Sequence, residues 1–168
     1  MYWKTGNMFD FVDTKKEPVF ICASSHLNEG KKLITNDRED SLSEITKEHP
    51  NVASKLGSMI DNFALPIDHS DKDWMRRYGI VFDRNSNIGA FQVKYHVRDI
   101  VDMELVRISA QMLAAFAQAI PCKINIEVPE TNGSDDRQFI NIVMPIWYKT
   151  KICVWTLEYE EDSDELSQ

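Results

Sequence analysis

Residues 18–30 read PVFICASSHLNEG, and this stretch decides the fold class. Pro18 precedes an uninterrupted apolar run at 19–23, which is typical of a short strand buried on both faces. Small polar residues and Gly30 follow, and they favour a loop after that strand. A strand buried on both faces needs helices above and below its sheet, so the stretch predicts an α/β domain.

The remaining segments extend this prediction. Alternating or continuous apolar runs predict strands at 78–82, 88–95, 122–128 and 150–159. Apolar stripes at helical spacing predict helices at 38–48, from Pro50 to Phe63, and at 101–120. Segment 66–76 has the composition of a loop and 137–147 is a mixed apolar segment. The expected fold is a mixed, mostly parallel central sheet with helices on both faces, forming a single domain over 1–157.

Charge is unevenly distributed along the 168 residues. The net charge is −8, and six acidic residues with no Lys or Arg lie between Glu158 and Gln168. We expect 158–168 to be a disordered acidic tail, and the nearly neutral body argues against nucleic-acid binding. Apolar stretches are broken well before the roughly 20 residues of a membrane span, and no secretory signal is visible. These features predict a cytoplasmic protein, in the host cytoplasm if it is phage-encoded.

Cysteine and histidine spacing predicts neither a metal site nor a cofactor. Cys22, Cys122 and Cys153 lie in apolar runs without CxxC spacing, which is typical of buried free thiols. The four histidines show no HxH, HxxxH or HExxH pattern. Asp68, Asp71 and Asp73 lack the spacing of a calcium loop and indicate a charged surface loop instead.

Element order also resembles that of a known family. The segments VFICASSHLNEGKKLITNDREDSLSEITKEHPNVASKLGSMI (19–60), YGIVF, IGAFQVKYHVRD, the 101–120 helix and INIEVPETNGSDDRQFINIVMPIWYKTKICVWTL (124–157) are similar to macrodomain-like proteins of the small phage and bacterial type. That resemblance implies a three-layer macro fold and an ADP-ribose-type ligand. It implies two glycine-rich loops whose N–H groups approach the diphosphate.

Both loops depart from the family pattern. Residues 35–40 (TNDRED) replace a G-x-G-A stretch with a segment that holds three acids and no glycine, and 129–134 (PETNGS) retains Pro129, Asn132 and Gly133 of a PGxGNGG loop. The phosphate loops are therefore degenerate, because most of their glycines are missing. The carboxylates of 35–40 would also repel a diphosphate. By resemblance, the ligand-binding residues are Ser24, Ser25, His26, Asn28, Asn36, Asn132, Gly133 and Ser134.

A second candidate group follows from the strand at 88–95. Gln92, Lys94, His96 and Arg98 alternate with apolar residues, so they share one face if the strand extends that far. Lys94, His96 and Arg98 are therefore possible anion contacts. The favoured alternative is the solvated face of an edge strand. Trp74, in a polar loop, is the tryptophan we expect to be an exposed contact residue.

The leading hypothesis is a macro-like binding domain for a nucleotide or ADP-ribose-derived ligand, without robust catalysis. Ser24 and Ser25 lack an identifiable base partner in the sequence, so no catalytic residue is assigned. A phage-encoded interaction or inhibitor protein, which would bind a host protein through the altered loops and the acidic tail, is the first alternative. An ADP-ribosyl hydrolase is the second.

Overall fold

The computed structural model describes residues 1–34, 41–67, 72, 74–129 and 137–156. The strands within these residues are β1 (Tyr2–Thr5), β2 (Val19–Ser24), β3 (Leu65–Pro66), β4 (Arg76–Arg77), β5 (Ile80–Asp83), β6 (Ile88–Lys94), β7 (Ile124–Glu127) and β8 (Ile152–Thr156). The helices are α1 (Met8–Phe11), α2 (Ser41–Glu48), α3 (Val52–Phe63), α4 (Met103–Ala119) and α5 (Arg137–Trp147).

One six-stranded sheet organises the chain, in the order β1-β8-β7-β2-β6-β5. Neighbouring strands run parallel except β5, which is antiparallel to β6 across the turn at 84–87. Strands β3 and β4 form a separate two-stranded ribbon. The expected mixed, mostly parallel sheet is thus confirmed, and the strand at 19–23 lies near its centre, between β7 and β6.

Alternation along β2 separates two cores. Phe20 packs with side chains of α4 and α5 on one face, such as Leu113 and Trp147. Ile21, from the opposite face, packs with side chains of α2 and α3. Helices therefore cover both faces of the sheet, as predicted, and β2 has no face left for solvent.

The edge-strand interpretation of 88–95 is wrong. Every residue of β6 is buried, because β2 and β5 flank it and helices cover it; Gln92 is 0% exposed and Lys94 is 7% exposed. The strand also ends at Lys94, so His96 and Arg98 lie in the turn that follows and not on a strand face. The polar residues that alternate with apolar ones in β6, Gln92 and Lys94, are buried and hydrogen-bonded.

Five elements were not predicted: β1, α1, α5, and the short strands β3 and β4 at the two ends of the segment 66–76, which was expected to be a loop. Residues Tyr2–Thr5 pair in parallel with β8 and form an exposed outer strand. The mixed apolar segment 137–147 is helix α5, with Pro145 inside its last turn. The predicted acidic tail, 158–168, lies outside the described residues. No described helix is long and apolar enough to cross a bilayer.

Candidate functional site

The parallel strands β2, β6, β7 and β8 all end at the same side of the sheet, which we call the carboxyl edge. From β2 the chain reaches β6 on one side and then crosses to β7 on the other. Such a reversal of direction leaves the ends of β2 and its neighbours uncovered by a common connection, which is the usual ligand position in α/β sheets.

Three rings meet just beyond the ends of β2 and β6. The His26 and His96 rings stack with centroids 4.2 Å apart and an interplanar angle of 23°. Trp74 meets His96 edge-on at 4.9 Å and His26 at 6.1 Å. We call His26, Trp74 and His96 the aromatic cluster. All three side chains are partly exposed, so they combine stacking surface with access from solvent.

Ser25 holds the backbone beneath the aromatic cluster. Its hydroxyl lies 2.5 Å from the carbonyl oxygen of Trp74 and 3.1 Å from that of Tyr95, and it accepts a hydrogen bond from the Arg76 N–H at 3.4 Å. The residue is 0% exposed. We therefore assign the Ser25 hydroxyl, which resemblance had placed among the ligand contacts, to the fold.

Gln92 anchors the segment that carries Trp74. Its Oε1 accepts hydrogen bonds from the N–H groups of Tyr78 at 2.8 Å and Gly79 at 3.1 Å, and its Nε2 donates to the Arg76 carbonyl at 2.8 Å. These bonds satisfy backbone groups that β4 and β5 leave unpaired. The buried amide is thus a positioning residue, and its place on a central strand is what sequence reasoning missed.

Ser24 and Tyr78 connect the same region to β2. The Tyr78 hydroxyl donates to the Ser24 carbonyl at 3.0 Å, and the Ser24 hydroxyl accepts from the His26 N–H at 3.3 Å. Burial raises the pKa of the Tyr78 phenol well above its usual value, so the group stays a neutral donor. The start of the predicted ligand loop is fixed in place by these bonds.

Arg98 lies next to the aromatic cluster, where its charge acts on His26, and Lys94 lies at the end of the neighbouring strand. The Lys94 ammonium, at the end of β6, is 3.4 Å from the Asp99 carbonyl oxygen. Arg98 is exposed, and its backbone N–H donates to Nδ1 of His96 at 3.1 Å. The turn is closed by the Asp99 carboxylate, which accepts a hydrogen bond from the backbone N–H of His96 at 3.1 Å. Of the possible anion contacts, the structure therefore brings His96 and Arg98 beside His26 of the other candidate group.

The environment of His26 disfavours its charged form. Partial burial, the nearby His96 and the Arg98 cation lower the pKa of His26 from its ordinary value. Its Nδ1 and the Nε of Arg76 are buried and have no hydrogen-bond partner among the described residues. Buried polar nitrogens are normally paired, so these two atoms are exceptions among the described residues.

Cys22 joins the two strands at the switch in chain direction. Its thiol donates to the Glu127 carbonyl at 3.4 Å, from β2 to β7. Burial and the Glu127 carboxylate raise the pKa of this thiol well above its usual value. A thiol held in its neutral form is a poor nucleophile, so Cys22 has a structural role.

The other predicted contacts fall into two groups. Asn28 is exposed, and its Oδ1 accepts from the N–H groups of Gly30 and Lys32 at 2.9 and 3.0 Å, which closes the 27–33 turn. Asn36, Asn132, Gly133 and Ser134 lie outside the described residues. Among the residues that are described, no group of three or more His, Cys, Asp or Glu side chains is arranged to hold a metal ion.

A pocket of about 210 Å³ lies at the opposite edge of the sheet, beside the junction of α2 and α3. His49, Lys55, Asp83 and Ser86 are among the residues that line it. The Asp83 carboxylate accepts from the Ser86 hydroxyl at 2.6 Å and is 4.0 Å from the Lys55 ammonium. Its polar groups are thus already engaged with one another, and the carboxyl edge is the better candidate site.

Comparison with known proteins supports the fold but finds no sequence relative. No protein-family model matches the chain, and neither does any curated protein. Among solved structures, the macrodomain of Thermus aquaticus DarG is similar at a TM-score of 0.64 and 14% identity, covering 94% of this chain and 97% of its own. The macrodomain of Mycobacterium tuberculosis DarG gives 0.59 and 7%, covering 94% and 98%.

A third similar structure is Thermosipho africanus DarTG in complex with ADP-ribose, with a TM-score of 0.62 and 10% identity. The match covers 96% of this chain and 43% of that protein. At such identities the likeness concerns the fold alone. The chain has a macrodomain-like fold, as the order of its elements predicted.

Proposed function

We propose that the chain binds an ADP-ribose-type nucleotide at the carboxyl edge, beside the ends of β2 and β6. The observation that carries this proposal is the convergence of the aromatic cluster with Arg98 at that edge, where β6 also ends in Lys94, in a protein whose net charge is −8. Support also comes from the similar fold of Thermosipho africanus DarTG, whose structure contains ADP-ribose.

The grouping suits the chemistry of such a ligand. Ring faces of His26, Trp74 and His96 offer stacking surface to a base or to the apolar face of a ribose. Lys94 and Arg98 supply charge-assisted hydrogen bonds to phosphate oxygens. Asn36 and the 132–134 segment remain proposed contacts from the two loops that the resemblance identified.

Calorimetric titration tests the proposal directly. We expect heat on adding ADP-ribose, and weaker binding of AMP and of ribose 5-phosphate, because each carries only part of the ligand. Absence of heat at millimolar ADP-ribose would refute the proposal. Equal affinity for ribose 5-phosphate and ADP-ribose would show that the nucleotide part of the ligand contributes nothing to binding.

Charge variants locate the site. We expect Arg98→Gln to weaken ADP-ribose binding about fivefold, since a charge-assisted contact near the surface contributes roughly 1 kcal/mol. Lys94→Met should weaken binding at least as much, because Lys94 is buried and its charge is less screened by solvent. Arg84→Gln is the matched control, because Arg84 is exposed in the β5–β6 connection at the opposite edge. A control that loses as much affinity as the two variants would place binding elsewhere.

A further inference from the structure

The aromatic cluster contains two titratable rings in direct contact. With centroids 4.2 Å apart, the His26 and His96 rings are too close to carry two positive charges at moderate cost. A positive charge on one ring therefore disfavours a positive charge on the other, and the nearby His96 is one of the causes that lower the pKa of His26.

The hydrogen bonds distinguish the two rings. Nδ1 of His96 accepts from the Arg98 N–H at 3.1 Å, so neutral His96 carries its proton on Nε2. A proton added to that Nδ1 would break a bond that shapes the turn. Nδ1 of His26 is buried and has no partner within the described chain. Protonation of His26 breaks no bond that the structure shows, so His26 is the ring that takes the proton.

The groups around the pair disfavour a proton on His26 in the free protein, where burial, His96 and Arg98 lower its pKa. Within the described part of the chain, the charged residues of the elements packed against the pair include Lys94, Arg98 and Asp99 at the β6–α4 turn, and Lys72 and Arg76 beside Trp74. Arg77 and Asp102 act on Tyr95, the neighbour of His96. On the segment of His26 itself, Glu29, Lys31 and Lys32 lie on the exposed turn that follows. The Asp99 carboxylate accepts a hydrogen bond from the backbone N–H of His96, and Arg76 forms an ion pair with Asp61 at 3.2 Å.

A bound diphosphate would reverse this balance. Its negative charge beside Arg98 offsets the repulsion between that cation and an imidazolium at His26. We propose that binding of an ADP-ribose-type ligand at the carboxyl edge is coupled to uptake of a proton by His26, whose ring is held in position by the stacked His96 ring. This inference rests on the proposed function and adds a pH response to it.

Thermodynamic linkage sets the size and sign of the effect. A ligand that raises the pKa of His26 binds more tightly as pH falls, by at most about tenfold per pH unit, within the window between the free and bound pKa values. The diphosphate stays ionised throughout the histidine range, so the ligand itself contributes no proton change. We expect affinity for ADP-ribose to increase severalfold when the pH is lowered from about 7.5 to about 6.5.

The test is calorimetric titration of the full chain with ADP-ribose at one pH, in two buffers of equal ionic strength and different ionisation enthalpy. The difference in observed heat gives the number of protons taken up. We expect an uptake between zero and one proton near pH 6.5 to 7, falling toward zero at higher pH.

Two variants make the assignment specific. His26→Gln should bind ADP-ribose with no proton uptake, while His49→Gln should behave as wild type. His49 is the matched control because it lies near Thr14, beside the pocket at the opposite edge. Thermal unfolding of each variant establishes that it is folded.

The outcomes separate the two proposals. No heat in either buffer refutes the proposed function and, with it, this inference. Binding with equal heat in both buffers, or uptake that persists in His26→Gln, overturns the inference and leaves the proposed function standing. Uptake in wild type and in His49→Gln, lost in His26→Gln, supports it; should His26→Gln unfold, the wild-type buffer comparison and pH dependence still decide whether a proton is taken up.

Discussion

Gly57 in α3 lies where a helix meets the backbone of the turn that follows His26. A Cβ atom added there would be 2.1 Å from the Lys31 carbonyl oxygen and 2.9 Å from both the Leu33 nitrogen and the Lys32 Cα. All three contacts are with main chain, which cannot move aside as a flexible side chain does. The prediction is that Gly57→Ala destabilises the protein even though alanine is the better helix former.

The magnitude follows from two opposing effects. Replacing glycine by alanine inside a helix contributes about 1 kcal/mol in favour of the variant. Overpacking against fixed backbone costs about 1 to 3 kcal/mol, and the Leu33 N–H to Ala53 carbonyl bond at 2.9 Å is strained as α3 moves away, at roughly 1 kcal/mol more. We expect a net loss of about 1 to 3 kcal/mol.

Urea denaturation followed by circular dichroism measures this difference. The midpoint should fall while the slope stays unchanged, since the surface exposed on unfolding is the same. Gly30→Ala is the matched control, because its Cβ would meet only the Asn28 Oδ1 at 3.5 Å, an ordinary contact, and should change stability by less than about 0.5 kcal/mol. A Gly57→Ala protein as stable as wild type, or more so, would refute the packing argument.

Three further substitutions test the network around the site and the acid response of the fold. Gln92→Leu leaves two buried backbone N–H groups without an acceptor and should cost about 2 to 5 kcal/mol in urea denaturation; a loss below 1 kcal/mol would contradict its anchoring role. Ser25→Ala should cost about 1 to 3 kcal/mol and broaden the Trp74 fluorescence response, whereas an unchanged midpoint would show that its hydroxyl is dispensable. Burial opposes ionisation of Asp83, but hydrogen bonds from Ser86 prevail and hold the pKa of this carboxyl below its ordinary value. Its stabilising effect is therefore complete above the unfolded pKa of about 4 and is lost as pH falls through the lower folded value, so Asp83→Asn should show a smaller loss of stability on acidification than wild type; identical acid profiles would rule this out.

Local patterns were sufficient for most of the sheet and for the long helix. The apolar run of β2 and the apolar stripe of α4 each indicate, within a few residues, which side chains are buried. The order of elements and the mixed sheet were therefore predictable. Helix α5 was not, because Pro145 interrupts an otherwise helical pattern in its last turn. Strand β1 was missed because four exposed residues leave no pattern of burial.

The site was harder to predict because its contacts join distant parts of the chain. Alternation in β6 is the same whether polar side chains face water or satisfy backbone groups of Tyr78 and Gly79, and only the fold distinguishes the two. Likewise, nothing in the sequence near His26 indicates that Trp74 and His96 lie beside it. Residue types suggested individual loops, while the grouping of His26, Trp74 and His96 required three-dimensional contacts.

Strand β2 has a consequence for the motions available to this site. It is paired on both edges and covered on both faces, and Val19, Phe20 and Ile21 are fully buried, so its amide hydrogens should exchange with solvent only when the whole domain unfolds. His26 is thus attached to the slowest-opening part of the molecule, whereas Trp74 is held chiefly by the bonds of Ser25 and Gln92. If the aromatic cluster opens to admit a ligand, the Trp74 side is the one that moves.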